Sequence, residues 1–332
     1  MITYESDCIK SKQAKIQIYV SRRIDIDSVA IDNPFFVPVR CGAKFDKNSS
    51  PYMGDNVGEN ISDKSMMYSE FTVQYWAWKN ACADYIGLCH YRRYLSFVDY
   101  KFKIGLHGLV VWPILDNVGM RRFGLLNVGK MYKIITQYDI VHSAIPVSVI
   151  STPKGNVNSV QELWEAHYDI VIPTGLINHL LKLIDHIAPE FSESAREYFA
   201  KDVHIGYNCY VMRREIFERL CAFQFPIMEE LTKELNKVEA CKRFIRAPAY
   251  AGEMLFGIFL YHVEKKEQRR SKIQQLVIFE ETEMASGIVQ HLLYYERFEL
   301  DQIVRKASQW FLPNGSSRRE IAKEIYLKLT GR

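Results

Sequence analysis

The sequence predicts an α/β protein with an open sheet, and three observations carry that prediction. Short apolar runs of strand length recur at residues 15–20 (KIQIYV), 84–89 (DYIGLC), 139–142 (DIVH) and 207–212 (YNCYVM). Between them lie stretches with apolar residues three and four apart, the helical period. Finally, the runs give way abruptly to polar or charged residues, and in open α/β sheets ligands bind just beyond the carboxyl ends of the strands.

Taken in order, residues 15–20 alternate as a first strand and run into the polar loop SRRIDIDS. Residues 35–39 form a second apolar run, limited to an edge strand by Pro34 and Pro38. A loop follows at 52–64 (YMGDNVGENISDK), where Gly54 and Gly58 alternate with Asp55, Asn56, Glu59, Asn60, Ser62 and Asp63. Such a stretch suits an ordinary turn, and it equally suits a grip on ribose, sugar or phosphate. Residues 68–79 (YSEFTVQYWAWK) predict one amphipathic helix capped by Ser69, with Phe71, Tyr75 and Trp78 on one face.

The anchor is residues 84–94, DYIGLCHYRRY. Its first half is a buried strand with Gly87 admitting a close neighbour. Its second half turns within one residue to His90, Tyr91, Arg92, Arg93 and Tyr94. Cationic and aromatic side chains at a strand end are positioned to meet an anion. The plain alternative is two surface arginines and a core histidine.

Residues 99–133 are Gly-rich and irregular, and are expected to form an inserted, partly mobile region able to fold over a bound substrate. Residues 160–168 (VQELWEAHY) predict a helix carrying His167. Another, capped by Thr174, has Leu176, Leu180, Leu183, Ile184 and Ile187 as its core stripe. The run at 207–212 carries Asn208 near its start, and helices are predicted at 214–223 and 227–238. Glu253 then stands after Pro248 and Gly252 at the head of an apolar helix, where the macrodipole favours an acid by about 0.3–1 kcal/mol. The last helix has a capping box, Ser317 and Glu320, with Ile321, Ile325 and Leu329 on one face and Arg318, Arg319, Lys323 and Lys328 around it.

Composition narrows the classes. A chain of 332 residues with 48% hydrophobic and 25% charged residues is globular, with length for one large domain and an appendage. Net charge of +4 admits anionic ligands without demanding nucleic acid. Seven isolated cysteines with no Cys-x-x-Cys pair suggest neither a disulfide framework nor a zinc site, so a reducing, cytoplasmic setting is expected. No signal-peptide core or membrane-spanning run is present.

The blocks YMGDNVGENIS, YSEFTVQYWAWKN and DYIGLCHYRRY, followed by YDIV, ELWEAHY, YNCYVMRREIF and AGEMLF, resemble a bacterial glycosyltransferase family. That family belongs to capsular and exopolysaccharide clusters and was long filed as a domain of unknown function. The resemblance covers residues 15–263, with 264–332 left as a helical, basic extension. It implies a GT-A-like, Rossmann-type fold and a nucleotide-diphosphate sugar donor, with UDP-galactofuranose the leading choice. The acceptor implied is a saccharide, lipid-linked in the growing polysaccharide. Where relatives have Asn-Met-Phe, this chain has Asn208, Cys209 and Tyr210.

Glycosyl transfer needs a base for the acceptor hydroxyl and stabilisation of the departing diphosphate. No Asp-x-Asp metal pair ends the anchor strand, and His90, Arg92 and Arg93 stand there instead. A guanidinium about 4 Å from a phosphate contributes up to ~4 kcal/mol at an effective dielectric of 20, so a metal-independent enzyme without cofactor is expected. Asp25-Ile26-Asp27 reads as a chance string in a polar loop. Glu253 is the expected base, its pKa raised by desolvation, with Asp55 and Asp63 behind it; His90 joins Glu253 and Asp55 in the catalytic set. Donor contacts are expected from Asp55, Asn56, Asn60, Ser62, His90, Arg92 and Arg93, and acceptor contacts from His167, Asn208 and Trp76. A base opposite the leaving group gives an inverting displacement. The rival reading is a non-catalytic carbohydrate- or nucleotide-binding protein of the same fold. Trp310, Phe311 and Leu312 with the basic helix after them suggest peripheral contact with the inner membrane face.

Overall fold

Five consecutive buried residues, Ile18 to Arg22, make β1 (Ile16–Arg22) a central strand rather than an edge. In the computed structural model, which describes residues 13–47, 50–105, 107–312, 316–319 and 321–322, β1 lies inside a ten-stranded mixed sheet. The chain runs on through β2 (Phe36–Arg40), β3 (Met53–Gly54), α1 (Ser65–Tyr68), α2 (Phe71–Asn80), β4 (Tyr85–His90), β5 (Arg93–Leu95) and β6 (Val110–Ile114). Then come α3 (Asn117–Arg122), α4 (Val128–Gln137), β7 (Ile140–His142), β8 (Ile145–Pro146), α5 (Val160–Glu165), α6 (Leu176–Ile187) and α7 (Ser192–Phe199). The last elements are β9 (Val203–His204), β10 (Tyr210–Arg213), α8 (Arg214–Lys237), α9 (Ala247–Lys265), β11 (Ser271–Ile273), β12 (Leu276–Glu281) and α10 (Ile288–Phe311).

The main path of the sheet is β11-β7-β10-β4-β1-β2-β3. β1 pairs in parallel with β2 on one side and with β4 on the other. The chain builds outward from β1 to β3 and then returns across it, which makes the β1/β4 boundary the topological switch point, where a crevice opens at the carboxyl ends. Gly87 is required there. A Cβ on it would stand 2.7 Å from the Tyr210 carbonyl oxygen and 2.9 Å from a Val211 methyl, so β10 could not pair with β4.

Helices α2 and α8 pack against the sheet, and α9, almost wholly buried, packs on α8. The stripe of α6 forms as its period predicts, with Leu176, Leu180, Leu183 and Ile184 buried, although Gly175 rather than Thr174 occupies the N-cap.

Several expectations change. The single helix at 68–79 is broken at Ser69, whose φ of 49° ends α1 before α2 begins. The two helices at 214–238 are one, α8, with Pro226 inside; its cost of one hydrogen bond is outweighed by burial of Phe223, Phe225, Ile227, Met228 and Leu231. The segment expected to be irregular carries regular elements, β6, α3 and the start of α4. Residues after 263 are not simply a helical extension, because β11 pairs with β7 and β12 with β5 and β6, so this segment completes the same sheet. Ser317 of the expected capping box is already helical, while its partner Glu320 and most of the final basic helix, with Lys323, Ile325, Lys328 and Leu329, lie outside the described residues. Among the described residues, no helix is long and apolar enough to cross a membrane.

Candidate functional site

β4 ends at His90, and Tyr91 and Arg92 turn the chain into β5, whose first residue, Arg93, pairs back with His90. Neighbouring strands fix this turn: the Tyr91 amide donates to the Ser21 carbonyl at 3.0 Å, and the Phe279 amide to that of Arg92 at 2.9 Å. The turn opens into a cavity of about 740 Å³ at the carboxyl ends of β1 and β4. His90, Arg92 and Arg93 line it, as do Ser65 to Glu70 in part, Trp164 and His167, His204 and Tyr207, and one face of α9 bearing Arg246, Tyr250 and Glu253.

Arg92 and Arg93 are half-buried, and their Nε atoms are enclosed with no partner among the described residues. Arg93 lies over the Tyr207 ring, 5.3 Å from its centroid. A desolvated guanidinium without an anion is costly, and the cost is removed by a ligand that supplies the anion. Five arginines line the cavity (22, 23, 92, 93 and 246) against three carboxylates, Asp25, Glu70 and Glu253. Arg22 is already paired with Asp27, which lies outside the lining, so one positive charge is left over, histidines aside. His90 is not one of these cations. Burial, then the charges of Arg93, Arg92, Arg246 and Arg23, push it well below the usual histidine range, so it is neutral at pH 7.

Glu253 is held from the other side. Its Oε1 accepts the Tyr207 amide at 3.0 Å and lies 3.3 Å from His204 Nε2. Far from heading its helix, it sits in the second turn of α9, too deep for the macrodipole to account for it. Its pKa also runs opposite to expectation. Burial alone would raise it, but His204, the Tyr207 amide and Arg93 together bring it below the usual glutamate value, so the carboxylate is ionised. Tyr207 and Asn208 adopt φ of 65° and 46°, a left-handed pair unusual outside glycine. The side chains around them hold that turn: Asn208 Nδ2 donates to Glu70 Oε1 at 3.0 Å, and Asn208 Oδ1 is buried without a partner among the described residues. Asn208 therefore acts on the cavity through Glu70.

The loop at 52–64 does something else. Asp55 is fully buried and accepts from the Gly42 and Ala43 amides, both at 2.9 Å, and from Ser62 and Thr72. It folds the loop and does not line the cavity. Ser62 is buried beside it, Asn60 bonds within the loop, and Asn56 and Asp63 are exposed; none of them lines the cavity. Trp76 is buried under the sheet, packed edge-on to Tyr19 and bonded to the Val57 carbonyl, so it too is away from the cavity. Of the expected acceptor contacts only His167 lines it directly, with Nδ1 2.8 Å from the Leu163 carbonyl.

Asp25 and Asp27 are partnered with Arg23 and Arg22, and among the described residues no group of three His, Cys, Asp or Glu is arranged to hold a metal ion. Sequence reasoning missed Glu70, Trp164, His204, Tyr207, Arg246 and Tyr250. Arg246, Tyr250 and Glu253 do recur at helical spacing, a signal that could have been read; nothing local announces His204.

A family model described as a domain of unknown function, DUF4422, matches residues 17–266, three quarters of the chain. The chain belongs to the DUF4422 family. A comparison with curated proteins finds no match. Among solved structures, this DUF4422 protein is similar to the apo structure of WbbM, described as a bifunctional glycosyltransferase. The TM-score is 0.71 at 22% identity over 82% of this chain. The chain spans about half of that protein, 47% of its length. The likeness establishes the fold of this DUF4422 member as GT-A-like.

Proposed function

We propose that the protein is a glycosyltransferase that moves a sugar from a nucleotide-diphosphate donor to a saccharide hydroxyl. The observation that carries this reading is the pair of half-buried guanidinium groups, Arg92 and Arg93, at the switch point of the sheet, with Nε atoms enclosed without a partner among the described residues. The diphosphate sits on Arg92 and Arg93, with Arg246 on the facing helix. The acceptor hydroxyl gives its proton to Glu253 as its oxygen bonds to the anomeric carbon. The bond from that carbon to the phosphate oxygen breaks, and its electron pair leaves with the diphosphate. One displacement inverts the anomeric centre. The guanidinium charges take the place of a metal ion. UDP-galactofuranose is the proposed donor, and a lipid-linked saccharide the acceptor.

The test is UDP release across a panel of UDP-sugars and acceptors, with and without EDTA. Expected are acceptor-stimulated release that survives EDTA, and a Glu253→Gln variant that keeps donor affinity while losing about 10²–10⁴-fold in turnover. Loss of activity in EDTA restored by Mn2+ would overturn the metal-free mechanism. Donor binding with no release for any acceptor would make the chain a binding protein instead.

A further inference from the structure

Glu253 is gripped by one oxygen only. Oε1 takes the Tyr207 amide and faces His204 Nε2, while Oε2 has no protein bond among the described residues. His204 is buried at the end of β9, its other ring nitrogen, Nδ1, enclosed without a partner among the described residues. With a carboxylate at Nε2 and nothing at Nδ1, the proton belongs on Nε2. The chain makes room for this contact. A Cβ on Gly206 would stand 2.1 Å from His204 Nε2 and 2.6 Å from Glu253 Oε1, so any larger residue would separate the pair. Trp164 packs edge-on to the imidazole with ring centroids 5.8 Å apart, and Tyr207 does so at 5.7 Å, which fixes the ring plane.

We propose that His204 is a positioning residue for Glu253: its Nε2–H holds Oε1 and so leaves Oε2 as the proton-accepting oxygen presented to the cavity. This rests on Glu253 being the base of the proposed transfer. The other groups facing the carboxylate are Arg93 and Tyr207 from the strand ends, Tyr198 from α7, and Arg246 and Tyr250 from its own helix. Arg93 stabilises the ionised form, as His204 does. Burial pushes the Tyr207 hydroxyl up to about 12 and that of Tyr198 higher still, so neither titrates near neutrality. The sign follows: Glu253 stays ionised until pH falls through its depressed folded pKa, and removing the His204 donor brings that loss to higher pH.

The experiment follows the Glu253 carboxyl carbon by 13C NMR in the full-length protein, the signal identified by its absence from Glu253→Gln. Expected is a midpoint below the usual 4.5 in wild type. It should rise by about one unit or more in His204→Phe, and return close to wild type in His204→Gln, whose amide donates from the Nε2 position. The acid limb of kcat/KM should move with it while donor Kd holds. If His204→Phe does not fold, His204→Asn, too short to reach Oε1, supplies the same comparison. An unmoved carboxyl midpoint in these variants overturns the proposal. The NMR readout needs no turnover, so a shifted midpoint in a protein that transfers no sugar would sink the transferase reading and leave the positioning role standing.

Discussion

Two stretches of this chain look equally ligand-directed as sequence, the loop at 52–64 and the turn at 90–93, and their polar groups meet opposite fates. In the loop every oxygen of Asp55 is taken by protein donors, and Trp76, Tyr75 and Asn80 of α2 lace its backbone and Glu59 down. In the turn, Arg92 Nε, Arg93 Nε and His90 Nδ1 are enclosed with no partner among the described residues. A satisfied buried carboxylate has finished its work in folding. An enclosed polar nitrogen left without a partner is uncommon in proteins, and under the proposed function the donor's diphosphate would satisfy it.

The largest effect expected from breaking this contrast is in the loop. Asp55→Ala leaves two buried amides and two hydroxyls without their acceptor and should lower stability by about 3–5 kcal/mol, read as the shift of the urea midpoint. A variant of full stability with lost UDP affinity would reverse the assignment.

Next come Arg92→Ala and Arg93→Ala. Each should weaken UDP binding by about 1.5–3 kcal/mol, roughly 10- to 150-fold by calorimetry, because charged hydrogen bonds to phosphate disappear. The melting temperature of Arg92→Ala should stay level or rise, since it removes a half-buried charge whose Nε has no partner among the described residues, whereas Arg93→Ala also takes a favourable charge from Glu253 and should gain less. A large fall in stability at unchanged affinity would show the guanidinium groups to be structural.

Smallest is the effect of Asn56→Ala and Asn60→Ala, both outside the cavity. Stability should move by at most about 0.5–1 kcal/mol and UDP affinity not at all. A tenfold loss of affinity in either would bring the loop back into the donor site.

What the sequence by itself determined is local. Alternation and apolar runs are written within five or six residues, so β1, β4, β7 and the stripe of α6 were legible, and so was the cationic turn that ends β4. The same short-range signals misjudged Ser69, where a positive φ divides one expected helix into two, and Pro226, which long-range packing carries inside α8. Only the tertiary structure decided which carboxylate is buried beside a cation and which is spent on its own loop. Asp55 and Glu253 are both acids near glycines in the sequence. One is enclosed by the amides of Gly42 and Ala43; the other meets His204 from β9 and the charge of Arg93 from the turn. Desolvation and counter-charge depend on whichever groups the fold brings from distant parts of the chain, and for that reason the expected rise in the Glu253 pKa became a fall.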